Sequence, residues 1–353
     1  MSETEKVEIM HFDQAGYIAQ GGKLYGVGKK LASLADKIAD EGYDAIFLMG
    51  VGGTWDEFMQ LEYLMNKFGD RDLEVYLIHA AEWNVSGHKK MTERSVVLTA
   101  SESGTTPEVL EAIDKMKERG IRVYAMTDPE GPIGRAIGAE NCVNIASDHT
   151  GGGCEGGYYL ADCFGLRILN RRGCFPKYDQ FVEQTKDIWT DLVDIRKRFE
   201  PLAEEYAKKY ALAPYTMFVG SGALWGETIL FAMCILEEMQ WKRTRYITSA
   251  DFFHGTLELV EKGVPVFLFK GEDECRALDN RVEAFLKRGV TGDDDVVVID
   301  TAEYAIPGLD PEFRVIVSPW ILSSLITDRL ATYYETVTKH NLAYRRYYHQ
   351  FDY

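Results

Sequence analysis

One sequence pattern occurs twice in this chain, and it restricts the possible fold more than any other feature. Residues 45–57 and 215–227 each contain an apolar run followed by Gly-x-Gly-x-x-Trp-x-Glu. The first glycines are Gly50 and Gly220, so the offset is 220 − 50 = 170 residues. Solenoid repeats run to only about 20–50 residues, so an offset this long indicates a duplicated domain. The 353 residues have room for two domains of roughly 150 residues each.

Each copy alternates apolar runs with helical patterns. The predicted strands are 44–50, 73–79, 94–100, 121–126 and 141–146, then 215–220, 243–248, 264–269, 295–300 and 313–318. The predicted helices are 54–68, 106–119, 131–138, 225–241, 251–262 and 273–288, with a further helical pattern in 319–348. Continuous apolar strands are typical of parallel sheets covered on both faces. We therefore predict an α/β fold with two tandem domains, each a doubly wound, mostly parallel five-stranded sheet flanked by helices.

The domain boundaries follow from the repeat and from a charged helical stretch between the copies. This stretch, 177–211, is interpreted as a connector helix. The predicted division is a first domain at 25–170, a connector helix at 171–211, a second domain at 212–340 and a C-terminal tail at 341–353.

Composition excludes several classes of protein. The net charge of −17 argues against nucleic acid as a partner, because phosphate attraction dominates the affinity of nucleic-acid-binding proteins. No apolar stretch reaches the roughly 20 residues of a membrane helix, and the polar, acidic start is unlike a signal peptide. The six cysteines form no Cys-x-x-Cys pair, which favours reduced, mostly buried thiols over a zinc site. We expect a cytoplasmic protein that binds no membrane and no metal.

The first glycine turn follows a strand and opens a helix, as a dinucleotide-binding turn would. Such a turn needs glycine or alanine where Trp55 stands, so that the helix can approach the strand closely. An indole blocks that approach, and we therefore predict no nicotinamide cofactor. A tight strand-to-helix turn is the alternative interpretation, and it is the favoured one for Gly220-Ser221-Gly222.

A loop rich in hydroxyl groups follows the third predicted strand. It reads Ser101-Glu102-Ser103-Gly104-Thr105-Thr106-Pro107 and enters a helix. Capping by Thr106 with Pro107 in the first turn is one interpretation, but it uses one hydroxyl only. Four hydroxyls around a glycine at a helix N-terminus indicate a phosphate-binding cup. The lysine of a nucleotide-binding P-loop is missing, so a sugar phosphate fits better than a nucleotide with magnesium.

Two residues of the second copy, Glu238 and His254, are candidate catalytic residues because of a resemblance to a known family. Glu238 precedes His254-Gly255 by 254 − 238 = 16 residues, a spacing that resembles the isomerase half of glucosamine-6-phosphate synthase. The Ser-x-Ser-Gly-x-Thr loop resembles the sugar-phosphate loop of the sugar isomerase (SIS) family, and the whole chain resembles members with two tandem SIS domains. Similarity to fructosamine-6-phosphate deglycases is strongest in the segments 239–241, 252–255, 259–265 and 345–347.

The resemblance implies roles for named residues. It implies that the first domain binds the sugar phosphate through Gly53, Thr54, Ser101, Ser103, Thr105 and Thr106. It implies that Glu238 is the catalytic base and that His254 is the acid that helps to open the sugar ring. The family has proline after the histidine-glycine pair, and here Thr256 replaces it. Proline restricts φ, so its loss is expected to loosen the loop.

The resemblance further implies a deglycase that cleaves a 6-phosphofructosyl amino acid, an Amadori product, into glucose 6-phosphate and a free amino acid. A carboxylate moves a proton between C1 and C2, and an acid protonates the ring oxygen. The imine at C1 then adds water and releases the amine, with no cofactor. An aldose–ketose isomerase or a glucosamine-6-phosphate deaminating isomerase would use the same loop and the same pair. A non-enzymatic sugar-phosphate sensor would need neither Glu238 nor His254.

Two further expectations concern assembly and the leaving amine. The predicted helix 225–241 spans about 25 Å, and strand 243–248 returns about 20 Å. Glu238 and His254 should therefore lie at opposite edges of their domain. We hypothesise a homodimer or higher homo-oligomer whose active sites are shared between chains, as the SIS resemblance also implies. The leaving amine stays open, since Glu82, Glu155 and Glu272 would favour a cationic substrate, and Arg243, Arg245 and Arg345 an anionic one.

Overall fold

A computed structural model gives the fold, and it describes residues 7–145, 154–290, 292–348 and 350–351. Residue 146 of the fifth predicted strand and residues 349, 352 and 353 of the predicted tail lie outside this range. Within the described residues the chain forms two compact units. The first unit covers 15–145 and 156–187, and the second covers 7–14, 154–155, 188–290, 292–348 and 350–351. Among the described helices, none combines the length and the apolar character needed to cross a membrane.

The first unit contains a five-stranded parallel sheet. Its strands are β1 Ile46–Gly50, β2 Val75–His79, β3 Val96–Ala100, β4 Arg122–Met126 and β5 Cys142–Val143, in the order β2-β1-β3-β4-β5. Every residue of β1 and β3 is buried. Because alternate side chains point to opposite faces, both faces of these central strands are covered. All five strands were predicted.

Helices of the first unit cover that sheet. They are α1 Gln14–Glu41, α2 Gly53–Phe68, α3 Ala80–Ser86, α4 Pro107–Glu118, α5 Pro132–Ile137, α6 Glu155–Arg171 and α7 Tyr178–Thr185. Three of them, α1, α3 and α6, were not predicted. Glycines weaken the helical signal of α1 and α6, but they allow close contact. A Cβ on Gly28 would lie 2.7 Å from the Sγ atom of Cys163, and one on Gly165 would lie 2.3 Å from Leu61.

The second unit contains a four-stranded parallel sheet. Its strands are β6 Thr216–Val219, β7 Thr244–Ile247, β8 Val266–Lys270 and β9 Val296–Asp300, in the order β7-β6-β8-β9. Its helices are α8 Ile188–Tyr210, α9 Trp225–Ile229, α10 Arg276–Leu286, α11 Arg314–Ser323 and α12 Ala331–Thr338. A π-helix at Leu230–Met239 continues α9, and another at Ser324–Leu330 joins α11 to α12.

Two predicted elements of the second unit are wrong. The predicted strand 313–318 is the start of helix α11, so the second sheet has four strands rather than five. Residues 315–323 are all buried, and a helix buried all round reads as a continuous apolar run that periodicity cannot distinguish from a strand. The predicted helix 251–262 is two short 3₁₀ turns, Phe252–His254 and Thr256–Leu259, on either side of Gly255. Gly255 has φ +140°, which no regular helix accommodates.

The duplication is visible in the strands. Adding 170 to the bounds of β3 gives the bounds of β8, and adding 170 to the start of β1 gives the start of β6. In both sheets the second strand lies on one side of the first and the third strand lies on the other. The strand order therefore reverses between β1 and β3 and between β6 and β8. Ligands of doubly wound folds bind at such reversal points, beyond the carboxyl ends of the strands.

All six cysteines are free thiols. Only Cys163 is buried, and the other five are half-buried, so the expectation of mostly buried thiols is wrong. Burial raises the pKa of Cys163 to about 12 and that of Cys142 to about 11. Both thiols are therefore held in the protonated, unreactive form.

Candidate active site

The hydroxyl loop of the first unit follows β3 at the reversal point. The side chain of Ser101 is buried, and its Oγ atom accepts a hydrogen bond from the amide of Gly104 at 3.1 Å and pairs with Oγ1 of Thr106 at 3.1 Å. Oγ1 of Thr105 donates to Oγ of Ser103 at 3.1 Å. Gly104 has φ +64°, a conformation that favours glycine, and it turns the loop back on itself. The loop thus brings four hydroxyl groups to the start of α4.

Thr106 occupies the residue before helix α4, but its side chain forms no cap hydrogen bond. Thr106 is therefore the N-cap residue by position, as predicted, but its side chain does not cap the helix. Its hydroxyl is shared with Ser101 instead, and Pro107 begins the helix as predicted. The positive end of the helix dipole is consequently not satisfied by this side chain, and this end of a helix favours an anion.

The glycine turn follows the neighbouring strand β1, on the other side of the reversal point. A Cβ on Gly50 would lie 2.6 Å from the amide nitrogen of Trp55, so only glycine allows α2 to start this close to the strand. Oγ1 of Thr54 donates to the carbonyl of Val51 at 3.1 Å and accepts from its amide at 3.2 Å. Gly53 is the first residue of α2. Gly53 and Thr54 thus end one strand and the hydroxyl loop ends the adjacent strand, with β1 and β3 paired in register.

The matching loop of the second unit holds a carboxylate where the first holds a hydroxyl. Adding 170 to 103 gives 273, so Asp273 corresponds to Ser103. Its Oδ2 accepts from the amide of Ala223 at 2.8 Å, and its Oδ1 accepts from the amide of Cys275 at 2.8 Å. A Cβ on Gly222 would lie 2.2 Å from that Oδ2 atom. The carboxylate therefore occupies two backbone donors at this reversal point.

Glu238 lies near the end of the π-helix and lines a cavity of about 970 Å³. Its Oε1 atom lies 2.8 Å from Nε of Arg345, in the C-terminal segment, and its side chain is 33% exposed. Trp241 follows the π-helix with φ +53°, a rare conformation for an aromatic residue. This turn places the indole 4.3 Å from the ring of His340 and 4.2 Å from the guanidinium of Arg346, measured between centres. The C-terminal segment thus forms one wall of the cavity.

His254 is exposed and lines a different cavity, of about 500 Å³, with Arg245 and Asp251. Thr256, at the position where the family has proline, is buried, and its hydroxyl accepts a hydrogen bond from Nη2 of Arg245 at 3.3 Å. The threonine therefore fixes a cation beside the histidine loop.

The structure groups some of the predicted residues and separates others. It brings the hydroxyls of the first-unit loop together, and it gives Glu238 and His254 separate cavities within the second unit. Lys242, Arg346 and Trp241 line the cavity of Glu238, and none of them was assigned a site role from the sequence, although Trp241 and Arg346 lie in segments that carry the resemblance. The signal was the run Trp-Lys-Arg at 241–243 directly after the helix. In the described part of the chain, no three His, Cys, Asp or Glu side chains are grouped as metal ligands.

Comparison with known proteins gives similarity along nearly the whole chain. Fructosamine deglycase FrlB of Bacillus subtilis is 24% identical over 326 residues, which cover 91% of this chain and 96% of that protein. The fructoselysine 6-phosphate deglycase of Escherichia coli is 25% identical over 323 residues, which cover 90% and 88%. No family model matches.

The fold is shared with a solved structure, the C-terminal domain of glucosamine-fructose-6-phosphate aminotransferase from Francisella tularensis. It superposes with a TM-score of 0.74 at 14% identity and covers 92% of this chain and 96% of that one. The predicted α/β fold of two tandem sheet domains is thereby confirmed, apart from the number of strands in the second sheet. The predicted resemblance to deglycases is confirmed as well.

Proposed function

We propose that this protein is a fructosamine-6-phosphate deglycase, which converts a 6-phosphofructosyl amino acid and water into glucose 6-phosphate and the free amino acid. The observation that carries the proposal is its similarity to two deglycases over about nine-tenths of the chain. Both of these proteins cover the two units, so the resemblance includes the hydroxyl loop and the region of Glu238 and His254.

The first step is binding of the phosphate. The hydroxyls of Ser101, Ser103, Thr105 and Thr106, with the backbone of Gly53 and the hydroxyl of Thr54, would hold the phosphate at the reversal point of the first sheet. Support comes from the position of the loop at a helix N-terminus and from the uncapped start of α4. A chain with net charge −17 has little long-range attraction for a phosphate, so local donors must supply the affinity.

The second step is proton transfer. The Glu238 carboxylate would remove a proton from C1 of the open-chain ketosamine. The electron pair of that C–H bond would form the C1–C2 double bond while the C2 carbonyl π bond opens and its oxygen takes up a proton, which gives an enolamine. Protonation of C2 with loss of the proton on nitrogen then gives the imine at C1. Arg345, with Nε 2.8 Å from Oε1 of Glu238, would act as a positioning residue that orients the carboxylate. His254 would protonate the ring oxygen when the sugar opens, and water then replaces the amine at C1.

We further propose that two chains complete each site, in a cytoplasmic homodimer or higher homo-oligomer. Support comes from the separate cavities of Glu238 and His254 within one unit. The substrate class, a charged phosphate ester that does not cross a bilayer, supports the location. Mixing Glu238→Gln with His254→Ala tests the shared site, because each mixed dimer would hold one intact pair. Activity should return on mixing, and its absence after verified exchange of subunits would contradict the sharing.

The decisive assay of the activity incubates the protein with a panel of 6-phosphofructosyl amino acids. Release of glucose 6-phosphate is followed with a coupled dehydrogenase. We expect turnover of at least one member, abolished in Glu238→Gln. Turnover of fructose 6-phosphate or glucosamine 6-phosphate alone would identify an isomerase or a deaminating isomerase instead. Binding without turnover of any sugar phosphate would identify a sensor.

A further inference from the structure

The cavity of Glu238 is strongly cationic. Its walls carry four cationic side chains, Lys242, Arg243, Arg345 and Arg346, and two acidic ones, Glu237 and Glu238. This is a formal excess of two positive charges in a chain whose net charge is −17. A concentration of one sign of charge in a concave site raises the local concentration of ligands of the opposite sign.

Most of these cations are not used by the protein itself. Arg345 pairs with Glu238, and the carboxylate of Glu237 accepts a hydrogen bond from Thr244. Within the described residues, no ion pair involves Lys242, Arg243 or Arg346. Partial burial lowers the pKa of Lys242, which means that its charge lies in a site where it would gain from an anionic partner.

Arg346 is held in place although it has no carboxylate partner. Its guanidinium lies 4.2 Å from the centre of the Trp241 ring, a cation–π contact that fixes the plane of the group but leaves its N–H donors available. An arginine fixed in this way presents a fork of donors that matches the two oxygens of a carboxylate. Trp241 is in turn held against His340.

We propose that these cations bind the carboxylates of the departing amino acid, so that the protein prefers 6-phosphofructosyl derivatives of acidic amino acids to that of lysine. The inference rests on the proposed function. The amine leaves from C1, where Glu238 acts, so the amino acid occupies the same cavity. The α-carboxylate needs one cation, and the remaining cations match a second carboxylate on the side chain.

The acidic residues that would favour a lysine derivative are placed elsewhere or are engaged. Glu155 forms a buried ion pair with Arg196. Glu272 pairs with Arg314. Glu82 lies on α3 of the first unit, exposed. None of these three lines the cavity of Glu238.

The substrate's phosphate is a second anion that such a cavity could hold, and kinetics separate the two. We compare kcat/KM for the 6-phosphofructosyl derivatives of aspartate, alanine and lysine. All three carry the phosphate, and only the first carries a side-chain carboxylate. The wild-type protein should prefer aspartate to lysine by about 10- to 100-fold, the range for one or two charged hydrogen bonds.

The variants are Arg346→Gln and Lys242→Gln, with Arg288→Gln as the matched control, since Arg288 is an exposed cation outside the cavity. Arg346→Gln should lower kcat/KM for the aspartate derivative about 10-fold more than for the alanine derivative. The control should leave the ratio between the derivatives unchanged. A thermal unfolding curve for each variant verifies that it is folded.

Three outcomes overturn the inference. A wild-type preference for the lysine derivative would refute it, while the deglycase function would stand. An equal loss for all three derivatives in Arg346→Gln would assign Arg346 to a group that all three share, the phosphate or the α-carboxylate, and would refute recognition of a side-chain carboxylate. No turnover of any derivative would refute the deglycase function and this inference together.

Discussion

The second unit has a buried carboxylate, that of Asp273, where the first unit has a hydroxyl, and its removal should lower the free energy of unfolding. Its two oxygen atoms accept hydrogen bonds from the amides of Ala223 and Cys275, both at 2.8 Å, and the side chain is 8% exposed. In Asp273→Ala both amides lose their acceptor. An unpaired buried donor costs roughly 1–3 kcal/mol, so the two together should lower the free energy of unfolding by about 2–6 kcal/mol.

A small anion should restore part of this stability. Formate matches the lost carboxylate and fits the space that alanine leaves. If formate binds the vacated donors with a Kd of about 10 mM, then about 100 mM formate stabilises the folded state by about 1.4 kcal/mol. Chloride at the same ionic strength lacks the second oxygen and should restore much less. The exposed Glu261 provides the control, because Glu261→Gln removes the same charge without removing a buried acceptor.

Two measurements check this reasoning. Urea unfolding followed by circular dichroism gives the loss of stability, and hydrogen exchange of peptides that span the amides of Ala223 and Cys275 reports the loop itself. The local measurement is needed because two compact units need not unfold in one transition. A loss of less than about 0.5 kcal/mol in Asp273→Ala, or an equal effect of formate and chloride, would refute the idea that the Asp273 carboxylate fills an anion-binding site.

Two further predictions follow from buried polar groups. Ser101→Ala removes a hydroxyl of the candidate phosphate cup, and it should raise KM for a 6-phosphofructosyl substrate about 10-fold with kcat nearly unchanged. Steady-state kinetics measure this, with Ser33→Ala as the control because Ser33 is exposed. An unchanged KM in Ser101→Ala would contradict the prediction. Burial raises the pKa of Asp279 to about 6, above its unfolded value of about 3.9. The folded state therefore keeps the proton to a higher pH than the unfolded state, and the free energy of unfolding of the wild type falls as the pH rises from about 4 to about 6. Asp279→Asn should lack this loss, so the free energy of unfolding of the variant relative to wild type should rise by up to about 3 kcal/mol from pH 4 to pH 7. Urea unfolding at both pH values measures this difference, and a difference that does not change with pH would contradict the prediction.

The fold was largely predictable because its strands are local signals. β1, β3, β6 and β8 are short apolar runs that end in glycine turns or polar loops, and burial on both faces makes such runs continuous. The same signal failed at 313–318, because the residues of α11 are buried on every side. Whether such a run is a strand or a helix depends on what surrounds it, and a single sequence does not contain that information.

One part of the candidate site was likewise predictable from the sequence, and another part was not. The hydroxyl loop is one continuous segment, so its composition and its place before a helix were enough to single it out. The surroundings of Glu238 depend on a contact between residues about 100 positions apart, since the C-terminal segment folds onto Trp241 and Arg345 reaches the carboxylate. No local pattern encodes that contact. The carboxylate of Asp273 was visible in the sequence, but its role required the distances to the two amides.

The two copies have diverged at one point of the same architecture. Both sheets reverse direction beside a glycine turn, and a duplicated chain therefore begins with two potential anion seats. In the first unit the seat is lined by neutral hydroxyls, which donate to an anion without adding charge. In the second, Asp273 stands at the position of Ser103 and accepts from two amides, so an incoming phosphate would meet a negative charge and occupied donors. We infer that each chain retains one phosphate-binding site, in the first unit. Under the proposed function, the second unit would provide Glu238 and His254 from helix and loop positions outside its own reversal point.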